Sequence, residues 1–270
     1  MKLSIITVNL NNGEGLQKTI DSVIRQTYKD FEFLIIDGGS NDGSLEIIKR
    51  YAGAVNYWVS EPDTGIYNAM NKGIRKATGD YLLFLNSGDS LNDSTVLSRA
   101  EIHCNGLNEI LLGNKYNTLK GQTLSHPDRI SLYYCIYKRF FAHQSAFIKR
   151  SVLEQYGLYS EHYNINSDYE FFLKSLGMGG VQYKKLDFVV SNFDGSGISS
   201  IEKNQPLIKA EIADIIARNV PASILNDYDR IHRFGEFKMK YLDEIVANKF
   251  LDRVCGIVLF GLYKINKLFK

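Results

Sequence analysis

Cysteine is scarce in this chain, and its charges nearly cancel. The three cysteines, Cys104, Cys135 and Cys255, are scattered without a C-x-x-C pair, so no zinc site is expected and the thiols fit a reducing compartment. The formal net charge is only +2, and no long run of like charge is present. This composition gives no support to a nucleic-acid-binding protein.

Long apolar runs are also missing. Residues 1–10, MKLSIITVNL, are too short for a secretory signal and lack a small-residue cleavage site, which predicts an opening strand and a cytoplasmic chain. Val254–Tyr263 has ten residues, about half of what a helix needs to cross a bilayer. Residues 249–270 nevertheless carry five basic side chains and one acidic one. This segment could lie on the cytoplasmic face of the inner membrane or pack on the domain, and both interpretations remain open.

The usual glycine-rich nucleotide motifs are absent too. Gly13 and Gly15 begin a G-x-G after the first predicted strand, but the third glycine of a dinucleotide fingerprint would fall at Lys18. No Walker A sequence is present either. A typical NAD or ATP site is therefore disfavoured.

What is present is a regular alternation through the first hundred residues. Runs rich in Ile, Val and Leu alternate with segments of helical periodicity, and turn residues separate them. The pattern predicts strands near 3–8, 31–37, 55–60 and 81–85, and helices near 16–26, 45–52 and 66–77. Such alternation implies parallel strands joined by right-handed crossovers, whose carboxyl ends meet at one edge of the sheet. We expect Asp37 and Asp89 to lie at that edge.

The alternation becomes less regular after Leu91. It predicts helices near 94–104, 151–156 and 168–176, strands at 109–117 and 143–149, and a strand or hairpin at 181–190. A Gly- and Ser-rich loop follows at 194–200 and could act as a lid or as an ordinary connector. Helical periodicity returns at 204–248. We therefore predict one α/β domain at 1–200, with halves at about 1–92 and 93–200, and a helical extension at 201–270.

Polar residues at the predicted strand ends are the candidate binding groups. Thr7, Val8 and Asn9 could hydrogen-bond a planar base, and Asp37 could hold a ribose or instead cap the following helix. Asp89 follows the continuous apolar run Tyr81–Leu85, which suits a strand buried on both faces. It is either a solvated loop acid or an acid that holds a cation.

Several stretches together resemble a known family. They are SIITVNLNN, IDSVIRQTYKDFEFLIIDGGSNDGS, EPDTGIYNAMNKGIRKATGDYLLFLNSGD and HQSAFIKRSVLEQYGLY. In this order they resemble family 2 glycosyltransferases of the GT-A fold, particularly those that build bacterial surface polysaccharides, over residues 1–200. The resemblance implies a mixed, mainly parallel central sheet flanked by helices. It also implies transfer of a sugar from a nucleotide-diphosphate donor, with a UDP-sugar expected, to a hydroxyl of a saccharide or lipid-linked acceptor. Inversion at the anomeric carbon and Mn²⁺ or Mg²⁺ on the diphosphate belong to the same expectation.

The resemblance also assigns roles to individual residues. Asp89 would hold the metal, although the family's D-x-D motif is reduced here to Asn86, Ser87, Gly88 and Asp89. Weaker metal binding, with several retained waters, is the expected consequence. The donor pocket would be lined by Thr7, Val8, Asn9, Asp37, Asn71, Asn86, Ser87 and His143. His143 could equally be a hydrogen-bonded core residue, and Asn71 could be a surface residue.

The catalytic base implied by the resemblance is Asp168. Transfer to an alcohol needs a base near the acceptor hydroxyl. The family has an acidic pair at the start of a helix, whereas Ser167 stands here in the place of the first acid. Asp168 could instead merely stabilise its helix N-terminus, and Glu170 is the reserve candidate. A sugar nucleotidyltransferase and a non-catalytic sugar-nucleotide binder remain the alternative functions.

Overall fold

The computed structural model describes residues 2–139 and 141–233, together with Ile257 and Lys264. The chain forms two compact units, Met1–Ile216 and Ala217–Lys270. In the second unit, residues 222–233 are helical. The predicted basic segment 249–270 lies outside the described residues apart from Ile257 and Lys264, and its contact with a membrane stays a prediction. The functional division at residue 200 also stays a prediction.

The first half of the larger unit is the alternating part predicted from the sequence. Its elements are β1 (Leu3–Asn9), α1 (Gly13–Ile24), β2 (Phe31–Asp37), α2 (Ser44–Arg50), β3 (Tyr57–Ser60), α3 (Ile66–Lys76) and β4 (Tyr81–Phe84). The strands are parallel in the order β3-β2-β1-β4. Asn9 pairs in register with Asp37, so these two side chains end neighbouring strands at the same edge. Helix α1 begins earlier than predicted because the Asn12 side chain caps it, accepting a hydrogen bond from the Gly15 N–H.

The second half adds strands of both directions. Its elements are β5 (Ser90–Leu91), α4 (Val96–Glu101), β6 (Ile110–Asn117), β7 (Gln122–Leu124), α5 (Leu132–Tyr137), β8 (Ala146–Lys149), α6 (Arg150–Tyr156), α7 (Ser167–Phe172), β9 (Tyr183–Phe193) and α8 (Gln205–Asn219). Strand β8 lies antiparallel between β4 and β6, and β6 runs parallel to β9. The described strands form one sheet in the order β3-β2-β1-β4-β8-β6-β9-β5, with β7 beside β6. The predicted mixed α/β class is therefore confirmed.

Several local predictions need correction. β5, β7 and α5 were not predicted. β5 and β7 have only two and three residues, and the six residues of α5, LYYCIY, are apolar or aromatic throughout and show no alternation with polar positions. The predicted strand 143–149 opens with a 3₁₀ turn at His143–Ser145, and the predicted helix 168–176 passes into a π-helical turn at Leu173–Met178. The segment 181–190 contributes to one long strand, β9, rather than a hairpin.

Helices cover both faces of the sheet. On one face, Leu3 and Ile5 of β1 pack in a cluster with residues of α1, α2 and α4. On the other face, Ile6 and Val8 pack with residues of α3, α6 and α7. Successive side chains of a strand point to opposite faces, so β1 contributes to both clusters. Burial on both faces explains the unbroken apolar run Tyr81–Leu85, whose residues are all fully buried.

Candidate active site

A cavity of about 650 Å³ opens at the carboxyl ends of β1 and β4. It is bordered by the start of α3, by part of the segment 161–168 and by residues 193–201. This is the place where open α/β sheets bind ligands. The cavity brings together seven of the ten side chains predicted from the sequence: Val8, Asn9, Asn86, Ser87, Asp89, His143 and Asp168. Thr7, Asp37 and Asn71 do not line it, and the structure gives each of them another set of contacts.

Asp37 is fully buried outside the cavity lining, and its carboxylate is richly hydrogen-bonded. Its oxygens accept five hydrogen bonds, from Asn9 Nδ2, the Ser40 and Ser60 hydroxyls and the backbone N–H groups of Gly39 and Ser40, at 2.6–3.2 Å. Burial alone would raise the pKa of Asp37, but these donors hold it below its usual value. The carboxylate thereby fixes Asn9 and the turn after β2. Its contact with a base or ribose stays a prediction.

Thr7 and Asn71 tie elements of the fold together. The Thr7 hydroxyl donates to the carbonyl oxygen of Leu85 at 2.8 Å and so joins β1 to the end of β4. Asn71, on α3, accepts from the backbone N–H of Tyr159 at 3.0 Å and donates to its carbonyl oxygen at 2.8 Å. The same amide donates to Glu161 at 3.0 Å. These contacts account for both residues structurally, and a direct role in donor binding stays a prediction.

Asp89 sits in the turn that follows β4 and is only 6% exposed. Thr19 of α1 fixes this turn, since its hydroxyl donates to the Asp89 carbonyl oxygen at 2.6 Å and accepts from the Gly88 N–H at 3.1 Å. The carboxylate Oδ1 accepts one hydrogen bond, from the backbone N–H of Asp194 at 2.9 Å. Burial raises the pKa of Asp89 to about 6, although that N–H and the charges of His143 and Lys115 act in the opposite direction. A buried carboxylate with so few donors favours the neighbourhood of a cation.

Asp168 opens helix α7 and forms a chain of contacts across the cavity. Its Oδ2 lies 2.9 Å from His143 Nδ1, and its Oδ1 accepts from the Tyr67 hydroxyl at 2.9 Å. His143 Nε2 in turn lies 3.4 Å from Asn86 Nδ2. Burial would raise the pKa of Asp168, but the contacts with His143 and Tyr67 lower it. The structure thus joins the predicted base to His143, and it keeps the carboxylate ionised at neutral pH.

Glu170, the reserve candidate for the base, and Ser167, which precedes Asp168, do not line the cavity. Glu170 forms an ion pair with Lys174 at 2.7 Å and does not line the cavity. The Ser167 hydroxyl is buried and has no hydrogen-bond partner among the residues that the structure describes. Asp168 is therefore the acid at the start of α7 that reaches the cavity.

The segment before Asp168 carries cavity residues that the sequence did not single out. The Glu161 carboxylate is held by Asn68 and Asn71 of α3 at 2.9 and 3.0 Å, and these two donors lower its pKa. Farther along, the Glu211 carboxylate of α8 accepts the backbone N–H groups of residues 164–166 at 2.7–3.1 Å. The segment is thus fastened at two places. Side chains that arrive from loops have no periodicity by which a sequence could reveal them.

The loop after β9 forms the remaining wall. Asp194, Gly195, Ser196, Gly197, Ile198, Ser199 and Ile201 line the cavity. The Asp194 carboxylate accepts from the Ser196 hydroxyl and lies 3.5 Å from Lys18 Nζ. The predicted loop therefore reaches the cavity, and its motion as a lid stays a prediction.

The charge of the cavity suits a bound cation. Among the lining residues that the structure describes, five are carboxylates, Asp63, Asp89, Glu161, Asp168 and Asp194, and none is Lys or Arg. Asn86 adds an amide Oδ1 that is buried and has no hydrogen-bond partner in the described part of the structure. No group of three or more His, Cys, Asp or Glu arranged to hold a metal occurs in the described part of the chain. The residues fit a hard cation whose remaining ligands come from a diphosphate and water.

Within the described ranges, no helix is both long enough and apolar enough to span a bilayer.

The sequence of this chain is similar to a known family and to several of its members. The family model "Glycosyl transferase family 2" matches residues 4–159. The "Uncharacterized glycosyltransferase MT1564" of Mycobacterium tuberculosis (strain CDC 1551 / Oshkosh) is 33% identical over 203 residues, which are 73% of this chain and 77% of that protein. The "Poly(ribitol-phosphate) beta-N-acetylglucosaminyltransferase TarP" of Staphylococcus aureus (strain N315) is 27% identical over 90% of this chain and 85% of its own length.

Solved structures agree on the fold. S. aureus TarS 1-349 in complex with UDP-GlcNAc superposes with a TM-score of 0.65 at 17% identity, over 89% of this chain and 74% of that chain. The match to a longer S. aureus TarS chain covers 71% of this chain and 36% of that chain. The mannosyltransferase PcManGT from Pyrobaculum calidifontis, in complex with GDP-Man and Mn²⁺, superposes with a TM-score of 0.57 at 15% identity, over 87% of this chain and 81% of that chain. These neighbours have the GT-A fold, as expected from the sequence. Because the family match covers more than half of the residues, the chain belongs to glycosyl transferase family 2.

Proposed function

We propose that this protein is an inverting, metal-dependent glycosyltransferase that moves a hexosyl or N-acetylhexosaminyl group from a UDP-sugar to a hydroxyl of a saccharide or lipid-linked acceptor. The reaction would serve the synthesis of a bacterial surface polysaccharide. The observation that carries the proposal is one cavity that holds a buried, under-bonded Asp89 and an ionised Asp168 supported by His143 and Tyr67. The first acid suits a cation on the departing diphosphate, and the second suits a base for the acceptor.

The charge of the lining supports metal dependence. A nucleotide diphosphate is an anion, and the described lining offers it five carboxylates and no Lys or Arg. Mn²⁺ or Mg²⁺, when bound, would supply Lewis-acid stabilisation of the negative charge that develops on the leaving diphosphate. The chain's own part is to hold Asp89 in a turn fixed by Thr19 and to keep it largely out of water.

The acceptor proton would pass to Asp168. Displacement by an alcohol needs its proton to leave as the new bond forms, and a positioned base typically contributes about 10²–10⁴-fold. Asp168 is ionised because His143 and Tyr67 hold its two oxygens, and it keeps contact with the cavity. Attack from the side opposite the leaving diphosphate gives inversion at the anomeric carbon.

The donor is assigned by similarity. TarS has been solved with UDP-GlcNAc, and TarP is named as a β-N-acetylglucosaminyltransferase. Both support a UDP-sugar as donor here. Val8, Asn9, Asn86 and Ser87 are the cavity residues that we assign to its binding.

The test measures UDP release from UDP-GlcNAc with Mn²⁺, with water and with a panel of glycosides as acceptors. We expect Asp168→Asn to lower turnover at least about a hundredfold while UDP affinity is unchanged, since the lost group acts as a base. Glu170→Gln is the matched control, because it removes one carboxylate from the same helix outside the cavity. The anomeric configuration of the product, read by NMR, tests inversion.

Three results would count against this proposal. Full turnover by Asp168→Asn would remove the assigned base. Release of pyrophosphate instead of UDP would indicate a nucleotidyltransferase. Binding of UDP-GlcNAc without turnover over the whole panel would indicate a sugar-nucleotide binder.

A further inference from the structure

A second acid stands directly beside the turn that carries Asp89. A Cβ added at Gly88 would lie 3.4 Å from Asp194 Cβ and 3.5 Å from its carboxyl carbon. Gly88 also has φ +102°, a backbone conformation that side chains rarely adopt. The turn 86–88 carries no acid of its own. The space next to it, where a side chain at position 88 would project, is bordered by the acid of another loop.

The backbone joins Asp194 and Asp89 as well. The N–H of Asp194 donates to Asp89 Oδ1 at 2.9 Å, which fixes the start of the β9 loop against the turn after β4. The Thr118 hydroxyl lies 3.0 Å from the Phe193 carbonyl oxygen and 3.2 Å from that of Asp194, and so it anchors the same point. Both carboxylates line the one cavity. A divalent cation bound in that cavity would offset the repulsion between the two negative charges.

Two oxygen atoms of the turn after β4 have spare hydrogen-bonding capacity. Asp89 is more than nine-tenths buried, and its Oδ2 has no hydrogen-bond partner among the described residues. The Asn86 amide Oδ1 is buried, and no residue within the described ranges forms a hydrogen bond with it. A buried acceptor that lacks a donor is costly unless a ligand satisfies it. These atoms are the hard oxygen donors that Mn²⁺ and Mg²⁺ accept.

We infer that Asp194 is the second carboxylate ligand of the divalent cation, and that it takes over the role of the acid missing from the turn Asn86–Gly88. The inference rests on the proposed function, because the cation binds with a nucleotide diphosphate. The cation then joins the turn after β4 to the first residue of the β9 loop.

Two lysines, Lys18 and Lys115, lie near the two carboxylates, and neither one enters the cavity where the cation would bind. Lys18 reaches Asp194 only at 3.5 Å, and both side chains are well exposed, so this pair is weak. Lys115 of β6 lies near Asp89 and places its ammonium group 4.3 Å from the centre of the Phe193 ring. Neither lysine lines the cavity.

The experiment titrates Mn²⁺ into the full chain with UDP present and follows free Mn²⁺ by electron paramagnetic resonance. A separate titration measures UDP affinity in EDTA. We expect Asp194→Asn to weaken UDP-dependent Mn²⁺ binding at least about tenfold, as losses around metal sites generally do. The affinity for metal-free UDP should not fall, because the variant removes a negative charge. Asp89→Asn should lose Mn²⁺ binding further.

Asp128→Asn is the matched control. It removes one exposed carboxylate with a lysine partner, Lys185 at 2.9 Å, outside the cavity. Mn²⁺ affinity should be unchanged in this variant. Asn86→Asp in the Asp194→Asn background supplies a new acid to the same turn, and we expect it to restore part of the lost affinity.

The outcomes separate this inference from the proposed function. Wild-type protein that binds neither UDP nor GDP, with or without Mn²⁺, would overturn both. Unchanged Mn²⁺ affinity in Asp194→Asn together with loss in Asp89→Asn would overturn the second ligand and leave the proposed function standing. Equal losses of Mn²⁺ binding and metal-free UDP binding in Asp194→Asn would assign a structural role to the residue instead.

Discussion

Asp37 and Asp89 stand near the carboxyl ends of two strands of the same parallel sheet, and both are buried. Their surroundings differ sharply. Asp37 accepts five hydrogen bonds and has a lowered pKa, whereas the Asp89 carboxylate accepts one and has a pKa raised to about 6. The comparison shows that the role of a buried acid depends on how many hydrogen bonds its carboxylate accepts. A saturated carboxylate organises the fold, whereas an under-bonded one keeps capacity for a ligand.

The largest expected effect is a loss of turnover without a loss of stability when Asp89 is replaced. We expect Asp89→Asn to lower turnover of UDP-GlcNAc about a thousandfold, since a Lewis acid supplies several kcal/mol at the leaving group. The melting temperature should stay the same or rise, because the amide can still accept from Asp194 and no buried charge remains. Steady-state kinetics measures the turnover, and thermal unfolding measures the melting temperature. A folded variant with normal turnover would place the cation elsewhere.

Asp37→Asn should show the opposite profile. The amide has one acceptor oxygen and an NH₂ group that would face N–H and hydroxyl donors, so several of the five hydrogen bonds are lost. We expect the free energy of unfolding to fall by about 3 kcal/mol, as for a broken buried network. Urea denaturation measures the loss. Unchanged stability with a large loss of UDP affinity would show instead that Asp37 acts directly on the nucleotide.

The smallest effect is the pH dependence of stability. The pKa of Asp89 is raised from 3.8 to about 6 by folding, so its ionisation destabilises the folded chain above pH 6, and this cost disappears as the pH falls towards 4. Relative to Asp89→Asn, the wild type should gain roughly 2–3 kcal/mol between pH 7 and pH 4. The pKa of Asp37 is lowered, so its contribution is constant above its unfolded pKa and is lost below about pH 4.

Urea denaturation of the wild type and both asparagine variants over pH 3–8 tests these opposite slopes. Parallel curves for the two acids would mean that their surroundings do not differ in solution.

The sequence predicted those parts of the fold that depend on periodicity. The alternation over residues 3–85 predicted four parallel strands and three helices, because the helices repeat an apolar face and the strands are apolar runs bounded by turn residues. β5 and β7, with two and three residues, are too short to show a period. The place of Asp37 and Asp89 at one edge followed from the alternation, since the carboxyl ends of parallel strands meet there. The in-register pairing of Asn9 with Asp37 was seen only in the structure.

The candidate site was predicted mainly through the family resemblance. The resemblance assigned roles to Asp89 and Asp168, whereas the alternation itself predicted only that Asp89 follows a buried strand at the edge of the sheet. Asp194 lies 105 residues from Asp89 in sequence and is brought beside it by the pairing of β5 with β9. The absence of an acid from the turn 86–88 predicted weaker metal binding, and nothing in the sequence pointed to a ligand from another loop.

The backbone of the segment before α7 is held by side chains of other elements at two positions, which has a practical consequence for engineering. Asn71 forms hydrogen bonds with the backbone of Tyr159, and Glu211 accepts from the backbone N–H groups of residues 164–166. The intervening residues 160–163 form a short stretch whose two ends are held through the backbone. Within it, the Glu161 carboxylate also accepts from Asn68 and Asn71, and the Tyr163 hydroxyl donates to Asp214. Ser160 and His162 are therefore the positions at which a substitution leaves these attachments in place.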